Sequence, residues 1–471
     1  MDNKVESAFE KVKNELFYQQ KNSFDLVSPE DLNQCNLYCS GYKRFLDESK
    51  TEREAVAVSI RLAEEKGFRP YVRGMAVKAG DKLYFNNRDK ALILAVVGTR
   101  PLSDGVHIGA AHIDAPRLDL KQHPLYEEAE MAYFKTHYYG GVRKYQWVAV
   151  PLELRGAVAL KDGSVVNVSV GAGPDDPLFV ITDLLPHLAS EQSKKPLGEA
   201  IPGESLNILL GSRPFPGTEK DTERVKLMAM SLIHEKYGIT EADFLSADLC
   251  MVPAMNARDL GFDRSLIGAY GHDDRVCAYA AFAALLGAEA PEFTAVCVLA
   301  DKEETGSDGV SGMQSAAFDT FIGDLCRTQG VTLDACFEKS RCLSADVTVA
   351  FDPSFPEVYE KRNAARINYG VGLCKYTGSR GKSGSSDASA ELIAYFRGLF
   401  DKNNVSWQMA EMGAVDAGGG GTVAKYMANR NIDTLDAGVA VLSMHSPYEV
   451  VSKLDCYMTY KSLLVFYKAG E

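Results

Sequence analysis

Short, mostly apolar segments constrain the fold of this chain more than any other feature of its sequence. Residues 91–98 (ALILAVVG), 106–112 (VHIGAAH) and 293–300 (FTAVCVLA) are only seven or eight residues long and are rich in Ala, Val, Ile and Leu. They are too short for typical helices and lack polar alternation, which indicates strands that are buried on both faces. Such strands occur in proteins whose central sheet is covered by helices on both sides.

Segments with helical patterns accompany these strands. Residues 1–70 place apolar residues three or four positions apart, which predicts mainly helix. Residues 273–288 and 385–400 predict two further helices, the second opened by Ser and Asp, and residues 344–352 and 435–445 predict two more strands. Strands that alternate with helices in this way are typical of an α/β protein.

The pattern changes in the middle of the chain. Between residues 118 and 250 the sequence favours β structure, with segments such as VVNVSVG and SLNILLG separated by turns rich in Gly, Pro and Asp. The α/β pattern then resumes. We therefore predict that residues 118–250 form a β-rich domain inserted into one α/β domain, which is built from residues 1–117 and 251–471.

The charge of the chain narrows the range of its partners. Lys and Arg number 51 against 64 Asp and Glu, and the resulting formal charge of −13 repels phosphate backbones and anionic membrane surfaces. The sequence has no apolar stretch of about 18 residues, and its first residues lack the apolar segment of a signal peptide. We therefore expect a cytoplasmic protein that binds neither nucleic acid nor membranes.

Histidine and carboxylate residues mark the ends of predicted strands and the turns that follow them. They occur in five separate elements, namely His112 with Asp114, Asp273 with Asp274, Glu303 with Glu304, Asp346, and His445. Because loops at the carboxyl ends of strands in an open α/β sheet converge on one crevice, we expect these side chains to lie together. Imidazole and carboxylate groups are ligands of Zn²⁺ and Mn²⁺, and a carboxylate can bridge two such ions.

Each of these elements by itself also has a structural interpretation. A lone histidine at a strand end is more often a hydrogen-bonded structural residue, and the pair Asp273 and Asp274 is more often a helix N-cap. Glu303 and Glu304 fit a solvated loop about as well as a site on their spacing alone. Only the combination of all five elements favours a metal centre.

Three further motifs resemble ligand-binding sequences. Residues 378–383 (GSRGKS) imitate a phosphate-binding loop, but Tyr376 stands where its first glycine is required. Residues 234–238 (HEKYG) lack the second histidine of a zincin helix. The four glycines at 418–421 permit close backbone approach and can offer amide groups to an anionic ligand, although a mobile loop explains them equally well.

A set of short motifs in a fixed order connects the chain to a known family. In chain order they are AHIDAP, YYGG, PHL, the helix start at Asp273, DKEETGS, SADV, GVGLCKYT, GGGGT and MHSPYE. With them the chain resembles, over residues 90–465, the aspartyl aminopeptidase family of dizinc metallopeptidases, which also includes a vacuolar-type leucine aminopeptidase. The resemblance implies a zinc exopeptidase-like catalytic domain, with a mixed central sheet flanked by helices, and an inserted β-rich dimerisation or lid domain at residues 118–250.

The resemblance also implies two divalent metal ions per subunit and assigns their ligands. These ligands are His112, Asp273, Glu304, Asp346 and His445. By the family pattern Asp273 bridges both ions, with His112 and Asp346 completing the first site. Glu304 and His445 complete the second. The set contains no thiolate, which suits Zn²⁺, Mn²⁺ and Co²⁺, and zinc binds most tightly of these three.

The implied reaction removes the first residue from a peptide that has a free N-terminus. A water activated by the two ions attacks the first peptide carbonyl, Glu303 acts as the general base, and Asp114 orients a ligand histidine. The family also places a lysine in the substrate pocket, here Lys375, although a solvated surface position fits this lysine equally well. Gly419 and Gly420 are the candidate substrate contacts in the glycine run.

The resemblance further implies partners and a substrate preference. Family members assemble through the inserted domain into dimers and into a dodecamer with an enclosed chamber. The resemblance implies a preference for acidic (Asp or Glu) first residues, which Lys375 would attract. The eukaryotic members with that preference differ from this chain at Asp274 and over residues 347–354, which include Asp352, and many members have a histidine near the position of Glu191. A preference for neutral or hydrophobic residues therefore stays open. A related dizinc carboxypeptidase or deacylase also fits these motifs, as does an assembly protein that has lost catalysis.

Overall fold

The structure is a computed structural model that describes residues 8–470. Within this part of the chain lie eleven α-helices. In chain order they are α1 (Ala8–Leu16), α2 (Pro29–Glu48), α3 (Glu52–Glu64), α4 (Leu197–Ala200), α5 (Arg224–Tyr237), α6 (His272–Leu286), α7 (Ala317–Thr328), α8 (Leu333–Phe337), α9 (Ala390–Lys402), α10 (Ala424–Ala428) and α11 (Lys453–Tyr467).

The described residues also form twenty-two strands, which belong to four sheets. In chain order the strands are β1 (Arg69–Pro70), β2 (Lys82–Asn87), β3 (Ala91–Val96), β4 (Val106–His112), β5 (Arg117–Glu128), β6 (Met131–Tyr139), β7 (Leu152–Ala159), β8 (Val165–Val170), β9 (Ile208–Gly211), β10 (Ala247–Pro253), β11 (Arg258–Leu260), β12 (Leu266–Ala269), β13 (Thr294–Ala300), β14 (Arg341–Ser344), β15 (Thr348–Val349), β16 (Val371–Cys374), β17 (Gly378–Ser379), β18 (Trp407–Met409), β19 (Gly419–Gly420), β20 (Asp433–Gly438), β21 (Ala440–Leu442) and β22 (Glu449–Ser452).

A nine-stranded sheet forms the centre of the fold. Its strands lie in the order β1-β2-β3-β13-β4-β14-β20-β16-β18. The strands β13, β4, β14 and β20 are parallel to one another, whereas β3 and β16 pair with this block in antiparallel orientation. The predicted mixed central sheet is confirmed, and the three short apolar segments of the sequence supply its adjacent strands β3, β13 and β4.

Helices cover both faces of this sheet. In β3, Leu92 and Leu94 belong to a buried cluster that includes side chains of α2, α6 and α11, whereas Ile93 and Ala95 belong to a second cluster with α7. Successive side chains of a strand point to opposite faces, so a strand without polar residues must be covered on both. The predicted α/β arrangement follows from this composition.

The two strands predicted over 344–352 and 435–445 are each divided between two sheets. β14 and β20 pair in the nine-stranded sheet, whereas β15 and β21 pair in a five-stranded sheet of order β11-β12-β22-β21-β15. The prediction that Asp346 lies on its own strand is therefore wrong, because Asp346 lies in the link between β14 and β15. The two chain segments leave the central sheet side by side, where Gly438 allows the backbone of Asp346 to approach closely.

Two element ends also differ from the predictions. Glu303 and Glu304 do not close β13, which ends at Ala300, but lie in a following turn of 3₁₀ helix. The helix predicted from residue 385 begins only at α9, where the side chain of Ser389 caps it by accepting the N–H of Leu392 at 3.1 Å.

Replacing Gly438 with alanine is expected to lower the free energy of unfolding by about 1–3 kcal/mol. A Cβ at this position would overlap the carbonyl oxygen of Asp346 and would lie 2.9 Å from the Sγ of Cys277. The matched control is Gly398→Ala on α9, where a Cβ would meet no heavy atom within 4 Å. That control is expected to stabilise the protein by about 0.5–1 kcal/mol, because alanine favours helix.

The measurement is urea unfolding followed by circular dichroism. Equal changes in the free energy of unfolding for the two variants would contradict the close approach of the two chain segments at Gly438.

Residues 117–253 contribute a separate six-stranded antiparallel sheet. Its strands lie in the order β8-β7-β10-β5-β6-β9, and its apolar side chains form their own cluster around Phe134 and Trp147. The helix α5, which lies in this region and contacts β6, was not predicted. The assignment of residues 118–250 to an inserted dimerisation domain stays a prediction.

None of the helices within residues 8–470 combines the length and the apolar character that a membrane crossing requires. The ten cysteines are free thiols with buried side chains.

Candidate metal centre

The predicted metal ligands come from five places in the chain and lie in one cluster. These places are the end of β4 with His112, the first turn of α6 with Asp273, the turn after β13 with Glu304, the link from β14 to β15 with Asp346, and the link from β21 to β22 with His445. The parallel strands β4, β13 and β14 end at the same edge of the central sheet, so the loops that follow them converge there.

The buried imidazole of His112 faces the carboxylates of the cluster. Its Nε2 lies 3.1 Å from Oδ1 of Asp273 and 3.7 Å from Oδ1 of Asp346. Its Nδ1 donates to the backbone carbonyl of Asp114 at 3.1 Å. A carbonyl can only accept, so the proton lies on Nδ1 and Nε2 is the atom available to a metal ion.

The second imidazole approaches the same aspartate from the other side. Nε2 of His445 lies 3.0 Å from Oδ2 of Asp273 and 3.4 Å from Oε1 of Glu304. Asp273 therefore directs one carboxylate oxygen toward each histidine. This is the arrangement that a carboxylate bridging two metal ions requires.

Asp114 connects the cluster to the protein behind it. Its Oδ1 accepts the N–H of Glu303 at 3.1 Å and lies 3.3 Å from Nδ1 of His112. Its Oδ2 accepts the N–H of Glu304 at 3.2 Å and the hydroxyl of Tyr139 at 2.8 Å. One buried carboxylate thus contacts both the His112 ring and the turn that carries the two glutamates.

Burial and mutual repulsion disfavour the ionised form of the carboxylates in this cluster. Burial, together with repulsion by Asp346, raises the pKa of Glu303 to about 8. Burial also raises the pKa of Glu304 well above its usual range, and Oε1 of Glu304 is buried without a hydrogen-bond donor among the described residues. Carboxylates in such a setting fit divalent cations, whose charge would offset the repulsion and engage the unbonded oxygen.

Two groups of three side chains each place a possible ligand atom within 4.8 Å of the others. The groups are His112 with Asp273 and Glu304, and His112 with Asp274 and Asp346. Their nitrogen and oxygen donors are those that Zn²⁺ accepts, so the residues present fit the implied metal. Asp274 was not predicted as a ligand. Both oxygens of its carboxylate are buried and accept no hydrogen bond from the described residues. Burial raises the pKa of this carboxyl well above its usual range.

A cleft of 670 Å³ opens beside the cluster and is partly lined by it. Gly419 and Gly420, the predicted substrate contacts, lie in its wall. The partly exposed methionines Met412 and Met444 also line it. A peptide that enters the cleft can therefore reach the cluster and meet an apolar surface beside it.

The glycine run and the predicted pocket lysine differ in their placement. Gly419 has a φ of +120°, and a Cβ there would overlap the carbonyl oxygen of Gly378, with which its strand pairs. Close backbone approach therefore explains this glycine.

Lys375 is not among the described residues that line the cleft. Its ammonium group pairs with Asp387 and donates to the carbonyl of Ala388 at 2.8 Å.

Comparison with known families decides the class of this protein. A sequence model of the aminopeptidase I zinc metalloprotease family (M18) matches residues 45–467. The chain belongs to the M18 family. It is a zinc metallo-aminopeptidase, a hydrolase that acts on peptide bonds, and the resemblance drawn from its motifs is confirmed.

Relatives of this M18 aminopeptidase match it over nearly their whole length. The probable M18 family aminopeptidase 1 of Clostridium acetobutylicum is 47% identical over 454 residues, which cover 95% of this chain and 97% of that protein. The protein of the same name from Thermotoga maritima is 43% identical over 424 residues, covering 89% and 93% of the two chains.

Solved structures confirm the fold class of the M18 aminopeptidase. The crystal structure of the M18 aminopeptidase from Thermotoga maritima matches with a TM-score of 0.91 and 40% identity, covering 96% of this chain and 100% of that one. The structure of the yeast mApe1 dodecamer shares the fold, with a TM-score of 0.75 and 21% identity over 93% of this chain and 97% of that one.

Glu449 lies near the site of this M18 aminopeptidase and was not predicted from the sequence. The buried carboxylate of Glu449, at the start of β22, accepts the N–H of Asp273 at 3.1 Å and the N–H of His445 at 2.7 Å. It therefore joins the backbones of the two residues whose side chains meet in the cluster. Its place at the end of the MHSPYE motif was the available signal, but nothing local showed which groups it would bind.

Proposed function

We propose that this M18 aminopeptidase cleaves the first residue from peptides at a centre of two divalent ions. The proposed ligands are His112, Asp273, Glu304, Asp346 and His445. One observation carries the proposal: Oδ1 of Asp273 lies 3.1 Å from Nε2 of His112, and Oδ2 lies 3.0 Å from Nε2 of His445. A carboxylate that serves two separate imidazoles supports two ions rather than one.

The residues around this centre provide the proton transfers. When bound, the ions supply Lewis-acid polarisation of the peptide carbonyl and stabilise the negative charge that develops on it. Glu303 lines the cleft, and its Oε2 lies 3.9 Å from Nε2 of His112. We assign it the role of the base that takes a proton from the attacking water and passes that proton to the leaving amine. Asp114 orients His112 and holds the turn that carries Glu303.

We also propose that neutral, apolar first residues are preferred over acidic ones. Met412 and Met444 line the cleft, and their apolar surface favours an uncharged side chain. Lys375, the cation expected to attract an acidic residue, is paired with Asp387 instead. An acidic preference remains the second candidate, because the lysine Lys425 lies in the cleft wall.

Self-association is proposed to use residues 118–250 as an inserted dimerisation domain. This region exposes several large apolar side chains, namely Leu178, Leu184, Leu185, Leu188, Leu197, Leu227 and Leu232. Exposed apolar surface of this kind favours contact with another protein surface. Because yeast mApe1, which shares the fold, is a dodecamer, we propose dimers that build a dodecamer here.

We also propose a cytoplasmic location, which the free thiols of all ten cysteines support.

The test uses the purified protein reconstituted with Zn²⁺. We expect two zinc ions per subunit by elemental analysis, and cleavage of the Leu and Met 4-nitroanilides. The N-acetyl-Leu compound should not be cleaved, because it lacks the free amine. The Asp and Glu compounds should react about tenfold more slowly, since placing a carboxylate against apolar side chains costs at least about 1.4 kcal/mol.

Each part of the proposal has its own contradicting result. A stoichiometry of one zinc ion contradicts the two-ion centre, and cleavage of the acetylated compound contradicts recognition of the free N-terminus. Faster cleavage of the Asp and Glu compounds contradicts the apolar preference and supports the acidic one. Repeating the assay with Mn²⁺ and Co²⁺ tests whether zinc gives the highest activity.

A further inference from the structure

A short segment of the six-stranded sheet reaches the candidate metal centre. It consists of Tyr139, Gly140 and Gly141, which lie at the end of β6 and directly after it. Two of these residues hydrogen-bond to groups of the centre, and the third lies against one of its glutamates. The rest of β6 pairs with β5 and β9 and lies in the sheet to which we assign dimerisation.

We infer that residues 139–141, here called the clamp segment, position ligands of both metal ions. The inference rests on the proposed two-ion centre and assigns the six-stranded sheet a second task besides assembly. The residues of the clamp segment are positioning residues, because they contact the ligands or their partners and not the metal ions.

Tyr139 acts on the first ion through Asp114. Its hydroxyl donates to Oδ2 of Asp114 at 2.8 Å, and the same carboxylate lies 3.3 Å from Nδ1 of His112. The Tyr139 ring also contacts the guanidinium of Arg117, which lies 4.2 Å from the ring centre. That guanidinium is fixed in turn by an ion pair with Glu52 of α3 at 2.8 Å. A donor fixed in this way keeps the Asp114 carboxylate in one orientation, and through it the imidazole of His112.

Gly141 acts on the second ion through its backbone. Nδ1 of His445 donates to the carbonyl oxygen of Gly141 at 2.8 Å. Because that carbonyl can only accept, the His445 proton lies on Nδ1 and the lone pair of Nε2 is directed toward Asp273 and Glu304. The clamp segment thus sets both the tautomer and the ring orientation of this ligand.

Gly140 lies between these two residues in the chain and is close to a further proposed ligand, Glu304. A Cβ at this position would lie 3.1 Å from Oε2 and 3.2 Å from Cβ of Glu304, and its φ of +74° favours glycine. The absence of a side chain therefore leaves room for the Glu304 carboxylate. The clamp segment therefore makes three contacts with the centre, with Asp114, with Glu304 and with His445.

The experiment measures zinc affinity in the full-length protein, using competition between metal-free enzyme and a chromophoric chelator for Zn²⁺. Tyr139→Phe and Gly140→Ala are each expected to weaken the binding of at least one zinc ion by about 10- to 100-fold. The absorption spectrum of the Co²⁺-substituted protein should change in both variants, because the ligands are reoriented. The thermal midpoint of the metal-free Tyr139→Phe protein should stay close to that of the parent.

Matched controls separate positioning from general damage to the sheet. Tyr138→Phe removes the neighbouring, exposed hydroxyl, and Gly163→Ala places a Cβ at a similar φ of +88° in a turn where no heavy atom lies within 4 Å. Both controls should bind Zn²⁺ like the parent. If Gly163→Ala and Gly140→Ala lower the thermal midpoint equally but only Gly140→Ala loses zinc affinity, backbone strain is excluded as the cause.

Failure of this inference differs from failure of the proposed centre. Parent-like zinc affinity and Co²⁺ spectra in both clamp variants, with two ions bound to the parent, would overturn the inference alone. A parent protein that binds no Zn²⁺ would instead overturn the centre on which the inference rests.

Discussion

Glu303→Gln is expected to lower kcat by about 10²- to 10⁴-fold while the protein retains its zinc. The amide of glutamine has nearly the shape of the carboxylate but cannot accept a proton from water. Glu303 is not among the proposed ligands, so its replacement should leave the metal content unchanged. The measurements are kcat with Leu 4-nitroanilide and zinc content by elemental analysis.

A control variant makes this result specific. Glu338→Gln carries the same change on an exposed residue after α8 and should retain full activity. Near-normal turnover by Glu303→Gln would disprove its role as the base. Loss of zinc along with turnover would instead move Glu303 into the set of ligands.

Asp273→Asn is expected to abolish binding of at least one zinc ion and with it nearly all turnover. The carboxylate faces both imidazoles, and an amide presents only one good acceptor oxygen to the two ions. The loss should exceed the roughly 10- to 100-fold effect typical of residues that only orient metal ligands. Zinc content and kcat, measured on the same preparation, check this expectation.

The adjacent residue provides the matched comparison. Asp274→Asn makes the same change one position further along the chain, also at a buried carboxylate. It should retain two zinc ions, because Asp274 is not a proposed ligand. If Asp274→Asn loses zinc and Asp273→Asn keeps it, the group of His112, Asp274 and Asp346 describes the true site and the ligand assignment is wrong.

Much of the fold could be predicted from local sequence. The apolar run of β3 has no polar face, so it had to be a buried central strand, and the structure confirms this. The link that carries Asp346 could not be predicted, because Ala345 and Val347 beside that aspartate carry no turn signal that would separate β14 from β15. Only the pairing of β14 with β20 and of β15 with β21 shows where one sheet ends and the next begins.

The candidate site was likewise predictable in part. The family motifs supplied His112, Asp273, Glu304, Asp346 and His445, and the structure brings all five together. Their identification depended on recognising the motifs, since each residue alone fitted a cap, a loop or a structural histidine.

Other partners in the site depend on distances that no motif records. Glu449 ends the MHSPYE motif and Gly141 ends the YYGG motif, but neither motif shows which groups these residues contact. Lys375 was predicted near the substrate from its motif, but the fold places Asp387 beside its ammonium group.

The sequence by itself determined the α/β class of this protein, its M18 membership and the residue types available for catalysis. The apolar period of a strand and the order of motifs are properties of neighbouring residues, so they can be recognised without coordinates. The tertiary structure alone decided that Glu449 joins the backbones of Asp273 and His445 and that the segment after β6 contacts His445. Such contacts join residues far apart in the chain, and their distances are set by how the sheets pack.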